Sequence, residues 1–312
     1  MTIFEKYFYL INGLIGMFLN LIVLLIAYLN ININNKPSQL IVINMTLADL
    51  LTCTIYMITR SYVNIFPQLF CYPYYILVVS SQLCSCLNLL WINLDKFLFI
   101  KFPLHYYTLV NKKRIILLMI LSWILIFGLV SFLYWFMEIK NSCDKVILSG
   151  HIYLFICLLY IISLINSLIF SIIIFYIAQK SKHSKSSKEF QLFKRLFFVF
   201  SSTLWTFCTC LPYRLLYLGV LLSILKLPSL LIKTTINIFY FILVLGIVFN
   251  PIITIFTQKI YRNCLINYLI NIFGKKKITT ISINKNCQNK ENLNFIKENF
   301  EKNKKENLFI NK

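Results

Sequence analysis

Acidic residues are scarce in this chain of 312 residues, which contains 10 Asp and Glu against 31 Lys and Arg. Charged residues of both signs make up only 13% of the sequence and hydrophobic residues make up 59%. A soluble domain carries about 25% charged residues. These proportions exclude an ordinary water-soluble domain, because water would not keep such a chain monomeric, whereas a lipid bilayer would accommodate it.

Histidine is rarer still, and His105, His151 and His183 lie in predicted loops or at the ends of apolar runs. A metalloenzyme needs clustered ligands, so the sequence does not indicate an enzyme. The net charge of +21 does not indicate nucleic-acid binding either, because the lysines lie in short loops and a tail rather than along an aromatic groove. Internal repeats and broken helices, which are typical of transporters, are absent from the sequence. A transporter or channel is therefore the weaker alternative.

Seven apolar runs are each long enough to cross a bilayer, which takes about 20 residues. They comprise residues 7–29, 40–59, 74–98, 115–136, 151–177, 193–217 and 230–256. The sequence therefore predicts an all-α membrane protein whose seven transmembrane helices form a bundle. No cleavable signal peptide is visible before the first run.

Positive charge gathers in alternate loops. Lys36 follows the first run, and the remaining basic loops follow the third and fifth runs, with Lys101, Lys112, Lys113 and Arg114 in one and Lys180, Lys182, Lys185 and Lys188 in the other. The opposite loops carry few charges, of mixed sign. The positive-inside rule then places the N-terminus outside and the C-terminus in the cytoplasm, and we expect a multi-pass protein of the plasma membrane.

Four segments follow from these boundaries. Residues 1–6 form a short extracellular N-terminus, and residues 7–257 form the seven-transmembrane domain. Residues 258–273 mix basic and apolar side chains, which predicts a short amphipathic helix on the inner membrane surface. Residues 274–312 are rich in Asn, Lys and Glu, which is typical of a disordered basic tail. The start of this tail can contact anionic lipid, and a fully solvated tail is the alternative.

Two acids, Asp49 and Asp95, lie within the predicted spans. An ionisable group in hydrocarbon costs at least about 2.5 kcal/mol by insertion scales, so each needs a partner. The candidates for Asp49 are Asn20, Ser85 and Asn250, an oxygen-rich set that can hold a hard cation such as sodium or form a plain interhelical network. For Asp95, an ion pair in the headgroup region is the simplest interpretation.

Two prolines, Pro212 and Pro251, lie inside the sixth and seventh runs. Each removes a backbone donor and kinks its helix. A kinked helix in a packed bundle is a natural hinge, so we expect Pro212, Asn250 and Pro251 to form the activation hinge.

The order of several short motifs resembles that of rhodopsin-like (class A) G-protein-coupled receptors over residues 7–270. The motifs are Gly16-Met-Phe-Leu-Asn20, Leu47-Ala48-Asp49-Leu50-Leu51, Asp95-Lys96-Phe97, Pro103-Leu104-His105-Tyr106, Trp123, Cys210-Leu211-Pro212-Tyr213 and Asn250-Pro251-Ile252-Ile253-Thr254. No single match is specific, but together and in order they are. The segment Lys101-Phe102-Pro103 is also similar to nematode chemosensory-type serpentine receptors.

The resemblance implies a receptor that binds an extracellular ligand and activates a cytoplasmic heterotrimeric G protein. Asp95, Lys96 and Tyr176 would lie at the coupling face. Cys71 and Cys143 would form a disulfide, as suits an oxidising compartment. Thr279, Thr280 and Ser282 could be phosphorylated to recruit arrestin.

Several switch positions depart from the family pattern. Lys96 replaces an Arg and so loses the planar guanidinium, and Leu192 lies where many members carry an acid. Thr206, Cys210 and Thr254 replace aromatic residues, and Leu168 replaces a proline. A degenerate receptor that folds without signalling is therefore a second alternative.

The outer ends of the spans bear on the ligand. Val78 lies where amine receptors carry an Asp, and Val244 lies where opsins carry the retinal-binding Lys. The ligand is therefore neither a simple amine nor retinal. Arg214 next to Tyr213, with Arg60 and Lys233 nearby, suits an anionic small molecule or peptide. The alternative is that Arg214 pairs with Glu138 or extends outward to the surface.

Overall fold

The computed structural model describes residues 3–30, 37–102, 105–135, 138–139, 146–147, 150–182, 187–222 and 229–273. Within them, seven helices are long and apolar enough to cross a membrane. The predicted number of spans is thus confirmed, as is the seven-helix bundle. Most of the helices extend beyond the apolar runs, because helix ends continue into polar residues that hydropathy alone does not assign to a span.

The spans are numbered in chain order and keep these names below. Span one is Ile3–Asn30, span two begins at Gln39, span three is Gln68–Lys101, span four is Lys112–Trp135, span five is Gly150–Lys182, span six is Ser187–Leu221 and span seven is Ser229–Thr257. A one-turn helix, Tyr106–Leu109, lies between spans three and four, and a C-terminal helix, Lys259–Phe273, follows span seven.

Span two changes its helical type along its length. It is α-helical from Gln39 to Leu51, π-helical from Thr52 to Ile58 and 3₁₀-helical from Thr59 to Ile65. A π-helical stretch shifts the register of the side chains that follow it, and such stretches are frequent at functional sites. The side chains beyond Ile58, including Arg60, therefore take directions that the periodicity of an α-helix would not predict.

Two short strands were not predicted from the sequence. β1, Glu138–Ile139, pairs antiparallel with β2, Val146–Ile147, so that Glu138 faces Ile147 and Ile139 faces Val146. Both lie between spans four and five. Cys143, between the strands, lies outside the described residues.

The distribution of polar and apolar side chains is that of a protein in lipid. Large apolar side chains face outward, as in Leu125 at 69% exposure and Trp135 at 83%. Polar side chains face inward, and Asn20, Asn93 and Ser167 are each 0% exposed. Hydrocarbon cannot hydrogen-bond these groups, so the bundle interior must satisfy them and the bundle exterior must be apolar.

The C-terminal helix packs against the bundle where spans one and two meet. Tyr261 is 0% exposed and Cys264 is 3% exposed, in a cluster with Val23, Ile26 and Val42 of spans one and two. Burial raises the pKa of the Tyr261 phenol. The helix spans the residues expected for the surface helix. Its contact with the inner membrane surface stays a prediction, as do the segment boundaries on either side.

Candidate functional site

Asp49 lies at the centre of a polar contact among three spans. Its carboxylate is 2% exposed. Ser85 Oγ donates to Oδ1 at 2.6 Å, and Asn250 Nδ2 donates to Oδ2 at 3.2 Å. Spans two, three and seven thus bring together the three residues of the predicted sodium site. A plain interhelical network would use the same hydrogen bonds, so sodium binding at this site stays a prediction.

Asn20 does not join this cluster as expected. Its Nδ2 donates to the Gly16 carbonyl oxygen at 2.8 Å and lies 4.0 Å from Cys53 Sγ. Its Oδ1 has no hydrogen-bond partner within the described part of the chain. The motif match was therefore a poor guide to the direction of this side chain, whose N–H bonds to its own helix backbone.

The end of the bundle that carries Asp95, which we call the Asp95 end, has one buried acid with two partners. Asp95 is 5% exposed. Lys96 Nζ lies 2.7 Å from its Oδ2, and Tyr106 Oη donates to its Oδ1 at 2.7 Å. The expected ion pair is present, and Tyr106 adds a bond that the sequence did not predict. Tyr176, the third predicted coupling residue, is 68% exposed and bonds to neither Asp95 nor Lys96 in the described structure.

A second buried contact, among spans three, five and six, was also missed. Asn93 Nδ2 donates to Ser167 Oγ at 2.7 Å and lies 3.0 Å from Thr203 Oγ1, and Thr203 Oγ1 lies 3.4 Å from Asn93 Oδ1. All three side chains are 0% exposed. The only sign of this contact in the sequence was the presence of polar residues inside apolar spans. The sequence did not indicate which of these residues would bond to each other. Within the described residues, this contact links spans three and six by hydrogen bonds at the Asp95 end.

A third interhelical contact joins spans two, three and four. Trp123 Nε1 donates to Asn44 Oδ1 at 2.9 Å, and Asn44 Nδ2 donates to Asn88 Oδ1 at 2.9 Å. The oxygen and the nitrogen of the Asn44 amide thus bond to two different spans. This contact fixes which helices are neighbours.

The opposite end of the bundle, which we call the Arg214 end, has buried cations instead. Arg214 is 7% exposed. Its guanidinium carbon lies 4.0 Å from the Tyr160 ring centre and 5.4 Å from that of Tyr213, and an Nη donates to Gln82 Oε1 at 3.2 Å. The side chain thus points into the bundle, and the outward alternative is wrong. The Glu138 side chain lies outside the described residues.

Val78 and Tyr213 belong to one buried cluster at this end. Val78 is 5% exposed and Tyr213 is 9% exposed, and Val244 at 0% packs in the same cluster. Neither valine carries a polar atom, so neither can bind an ammonium group or form a Schiff base. Their ligand contacts stay a prediction.

A cavity inside the bundle connects the two charged centres. Its lining includes Arg214, Gln82 and Tyr160 towards one end and Asp49, Ser85 and Asn250 towards the other. A molecule bound beside Arg214 therefore shares a continuous space with the Asp49 contact. That continuity gives a short physical route between the two sites.

Spans six and seven are in close contact beside the predicted hinge. A Cβ added to Gly246 would lie 2.6 Å from Thr209 Oγ1, so only glycine allows this contact. Pro212 lies one turn beyond Thr209, and Pro251 follows Asn250 in the facing span, each inside a continuous helix. The hinge residues are thus adjacent, and hinge motion stays a prediction.

Of the two cysteines expected to form a disulfide, only Cys71 lies within the described residues. Cys71 is disulfide-bonded and 0% exposed at the start of span three. Cys143 lies outside the described residues, so the pairing of the two stays a prediction.

Seven spans, a buried acid in span two and a cavity that opens between them define a heptahelical membrane receptor, and comparison with known proteins identifies the family. Residues 19–253 match the family described as 7 transmembrane receptor (rhodopsin family), and the chain belongs to that family. It is 44% identical over 277 residues to the G-protein coupled receptor aex-2 of Caenorhabditis elegans. The aligned region covers 88% of this chain and 85% of that protein.

Proposed function

We propose that this receptor binds an anionic extracellular ligand, a small molecule or a peptide, in the cavity beside Arg214 and in response activates a heterotrimeric G protein. The Arg214 end would face the outside and the Asp95 end the cytoplasm, in keeping with the positive loops. The nematode relative is a G-protein coupled receptor, which supports the proposed coupling to a G protein.

The observation that carries the ligand half is the state of Arg214. It is buried, it lines the cavity, and its described contacts are neutral: a glutamine oxygen, two tyrosine rings and the Cys157 thiol. A buried cation without an anionic partner is costly. A carboxylate or phosphate in the cavity would supply that partner through charge-assisted hydrogen bonds.

The signal would travel by a shift between two arrangements of the bundle. A ligand at Arg214 contacts span six two residues beyond Pro212, and the cavity continues to Asn250 of span seven. Span six would move about Pro212, break its link to Asn93 and open the cytoplasmic face beside Asp95 and Lys96. Tyr176, exposed on span five, would contact the G protein directly.

Two further partners belong to this proposal. In the resting state a sodium ion would bind at Asp49, with the Asp49 carboxylate and the Ser85 hydroxyl as ligands. The 2.6 Å contact between these two groups fits a shared oxygen site. Asn250 would have to turn its amide oxygen inward to join, because its N–H faces Asp49 in this structure. Arrestin would bind the phosphorylated tail.

The test is G-protein dissociation in cells that express the chain, recorded with a panel of G-protein sensors before and after addition of fractionated tissue extracts. We expect anionic fractions to give a signal that Asn250→Ala abolishes. With the purified agonist, Arg214→Ala should lower potency roughly ten- to hundredfold, the value of a hydrogen bond to a charged group.

Unchanged potency in Arg214→Ala would refute the anionic ligand at this position. Silence across the whole panel, with surface expression demonstrated by an N-terminal tag on intact cells, would favour a receptor that folds without signalling. The altered Lys96, Cys210 and Thr254 positions would then be the first to restore to the family residues.

A further inference from the structure

A second guanidinium lies at the Arg214 end. Arg60, half-buried in the 3₁₀-helical part of span two, has its guanidinium carbon 4.9 Å from the ring centres of Tyr9 and Tyr56 and 5.5 Å from that of Tyr240. It donates to the Tyr56 hydroxyl, and its buried Nε has no hydrogen-bond partner in the described structure. Arg60 is thus held by tyrosines rather than extended to the surface.

The two guanidiniums are joined by a continuous aromatic wall. Tyr240, which contacts Arg60, lies 5.0 Å from Tyr213 between ring centres. Tyr213 in turn lies 5.4 Å from the Arg214 guanidinium carbon. Tyr213 and Tyr240 come from spans six and seven, and they separate the two cations by the width of two rings.

The described part of the chain supplies no acid to either cation. Its only ion pair among described side chains is that of Asp95 with Lys96. Asp49, the other buried acid, accepts from Ser85 and Asn250. Arg60 and Arg214 are like charges at the same end of the bundle and repel each other, so each gains from a nearby anion.

The contacts with tyrosine leave both guanidiniums able to bind an anion. Cation–π contacts use the face of a guanidinium, whereas its five N–H donors lie in the plane. Arg214 donates to Gln82 and interacts with the Cys157 thiol, and Arg60 donates to Tyr56 and interacts with the Tyr9 hydroxyl, so neither uses all of its five donors. Donors therefore stay available at both cations for a carboxylate, which arginine binds in a planar, bidentate manner.

We infer that the ligand carries two anionic groups, one bound by Arg214 and the other by Arg60, joined by a segment that lies along Tyr213 and Tyr240. Tyrosine rings suit the joining segment, because they offer large apolar faces at low conformational cost. This inference rests on the proposed function and narrows its ligand from an anion to a dianion.

The first test needs no variant. The purified receptor in nanodiscs is incubated with a series of straight-chain α,ω-dicarboxylates and with the monocarboxylate of each chain length, at constant ionic strength, and thermal unfolding is followed. We expect the dicarboxylates of one intermediate length to raise the unfolding midpoint, and to bind roughly ten- to hundredfold more tightly than the matched monocarboxylate. Equal affinity at every length would overturn the inference.

Variants then assign each group. Arg60→Gln should lower the affinity for the best dicarboxylate to that for the monocarboxylate, while the monocarboxylate itself binds as before. Arg60→Lys should retain part of the advantage, because the charge stays and the planar donors are lost. Lys6→Gln is the matched control, since it removes a cation from an exposed site on span one. An equal loss in Lys6→Gln would show a general charge effect and refute the inference.

The outcome is separable from that of the proposed function. Selective binding of a dicarboxylate without any G-protein signal would support the dianion site and count against signalling. A purified agonist that signals through Arg214 but carries a single acid would support the proposed function and refute the dianion.

Discussion

The two ends of this bundle treat buried charge in opposite ways. At the Asp95 end, the acid has a lysine and a tyrosine as partners, and Asn93 is hydrogen-bonded to two other spans. At the Arg214 end, two guanidiniums contact tyrosine rings and neutral oxygens. Polar groups that the chain itself satisfies stabilise the fold, whereas polar groups left without a counter-charge are available to a ligand. Substitutions at the two ends should therefore affect different quantities.

The largest effect on stability is expected for Asn93→Leu. It removes the hydrogen bonds that Asn93 makes to the Ser167 and Thr203 hydroxyls, which are worth about 0.5–1.5 kcal/mol each. The midpoint of thermal unfolding should fall, and basal G-protein signalling should rise because spans three and six are no longer joined.

The control for this substitution is Thr203→Ser, which keeps the hydroxyl and should resemble the wild type. An Asn93→Leu protein with the wild-type midpoint and basal signal would remove the distinction between the two ends.

Tyr106→Phe should have the next largest effect. It deletes the 2.7 Å bond to Asp95, which as a bond to a charged group is worth about 1.5 kcal/mol or more. Lys96 still neutralises the acid, so the fold should survive. Chemical denaturation of the receptor in detergent measures the loss, and Tyr176→Phe, on an exposed ring without this contact, serves as the comparison. A similar loss in both variants would contradict a specific role for Tyr106.

Asp49→Asn should abolish stabilisation by sodium. For the wild type we expect about 1 kcal/mol of stabilisation when sodium exceeds its dissociation constant several-fold. The measurement compares unfolding midpoints in sodium chloride and in choline chloride at equal ionic strength. The variant keeps the shape of the side chain, so surface expression should persist while the agonist response changes. Loss of expression would instead mark Asp49 as a residue required for folding.

Arg214→Met should have the smallest effect on the ligand-free protein. Removing a buried cation that lacks an acid is often neutral or stabilising, and the methionine fills part of the volume. We expect the free energy of unfolding to change by less than about 1 kcal/mol, although agonist potency falls as it does in Arg214→Ala. A large loss of stability would mean that Arg214 is a structural residue, and the contrast between the two ends would fail.

Much of the fold could be predicted from hydropathy and motif order. The seven spans were all located, and Ser85 and Asn250 were correctly placed beside Asp49, because a buried acid can be satisfied by few residue types in spans that are apolar elsewhere. Other features could not be predicted. Asn20 was assigned to the Asp49 cluster but bonds to its own helix, and Tyr106 gave no sign that it would bond to Asp95.

The missed contacts share a physical cause. Asn93, Ser167 and Thr203 lie in three spans that are apolar all round, so periodicity does not orient them. Arg60 follows a π-helical turn, which rotates it away from the direction that an α-helix would give. Its position in the sequence suggests a cap at the end of a span, whereas the register shift places it among Tyr9, Tyr56 and Tyr240.

The sequence by itself determined that this protein lies in a lipid bilayer and that it belongs to a class of seven-helix receptors. Apolar runs of bilayer length leave the backbone no stable alternative to spanning helices, and the ordered motifs within them indicate the receptor family. The tertiary structure alone decided which polar groups meet. Rotation of each helix about its axis is set by packing against its neighbours. That rotation gave the buried acids partners, whereas Arg60 and Arg214 have tyrosine rings and no acid beside them among the described residues.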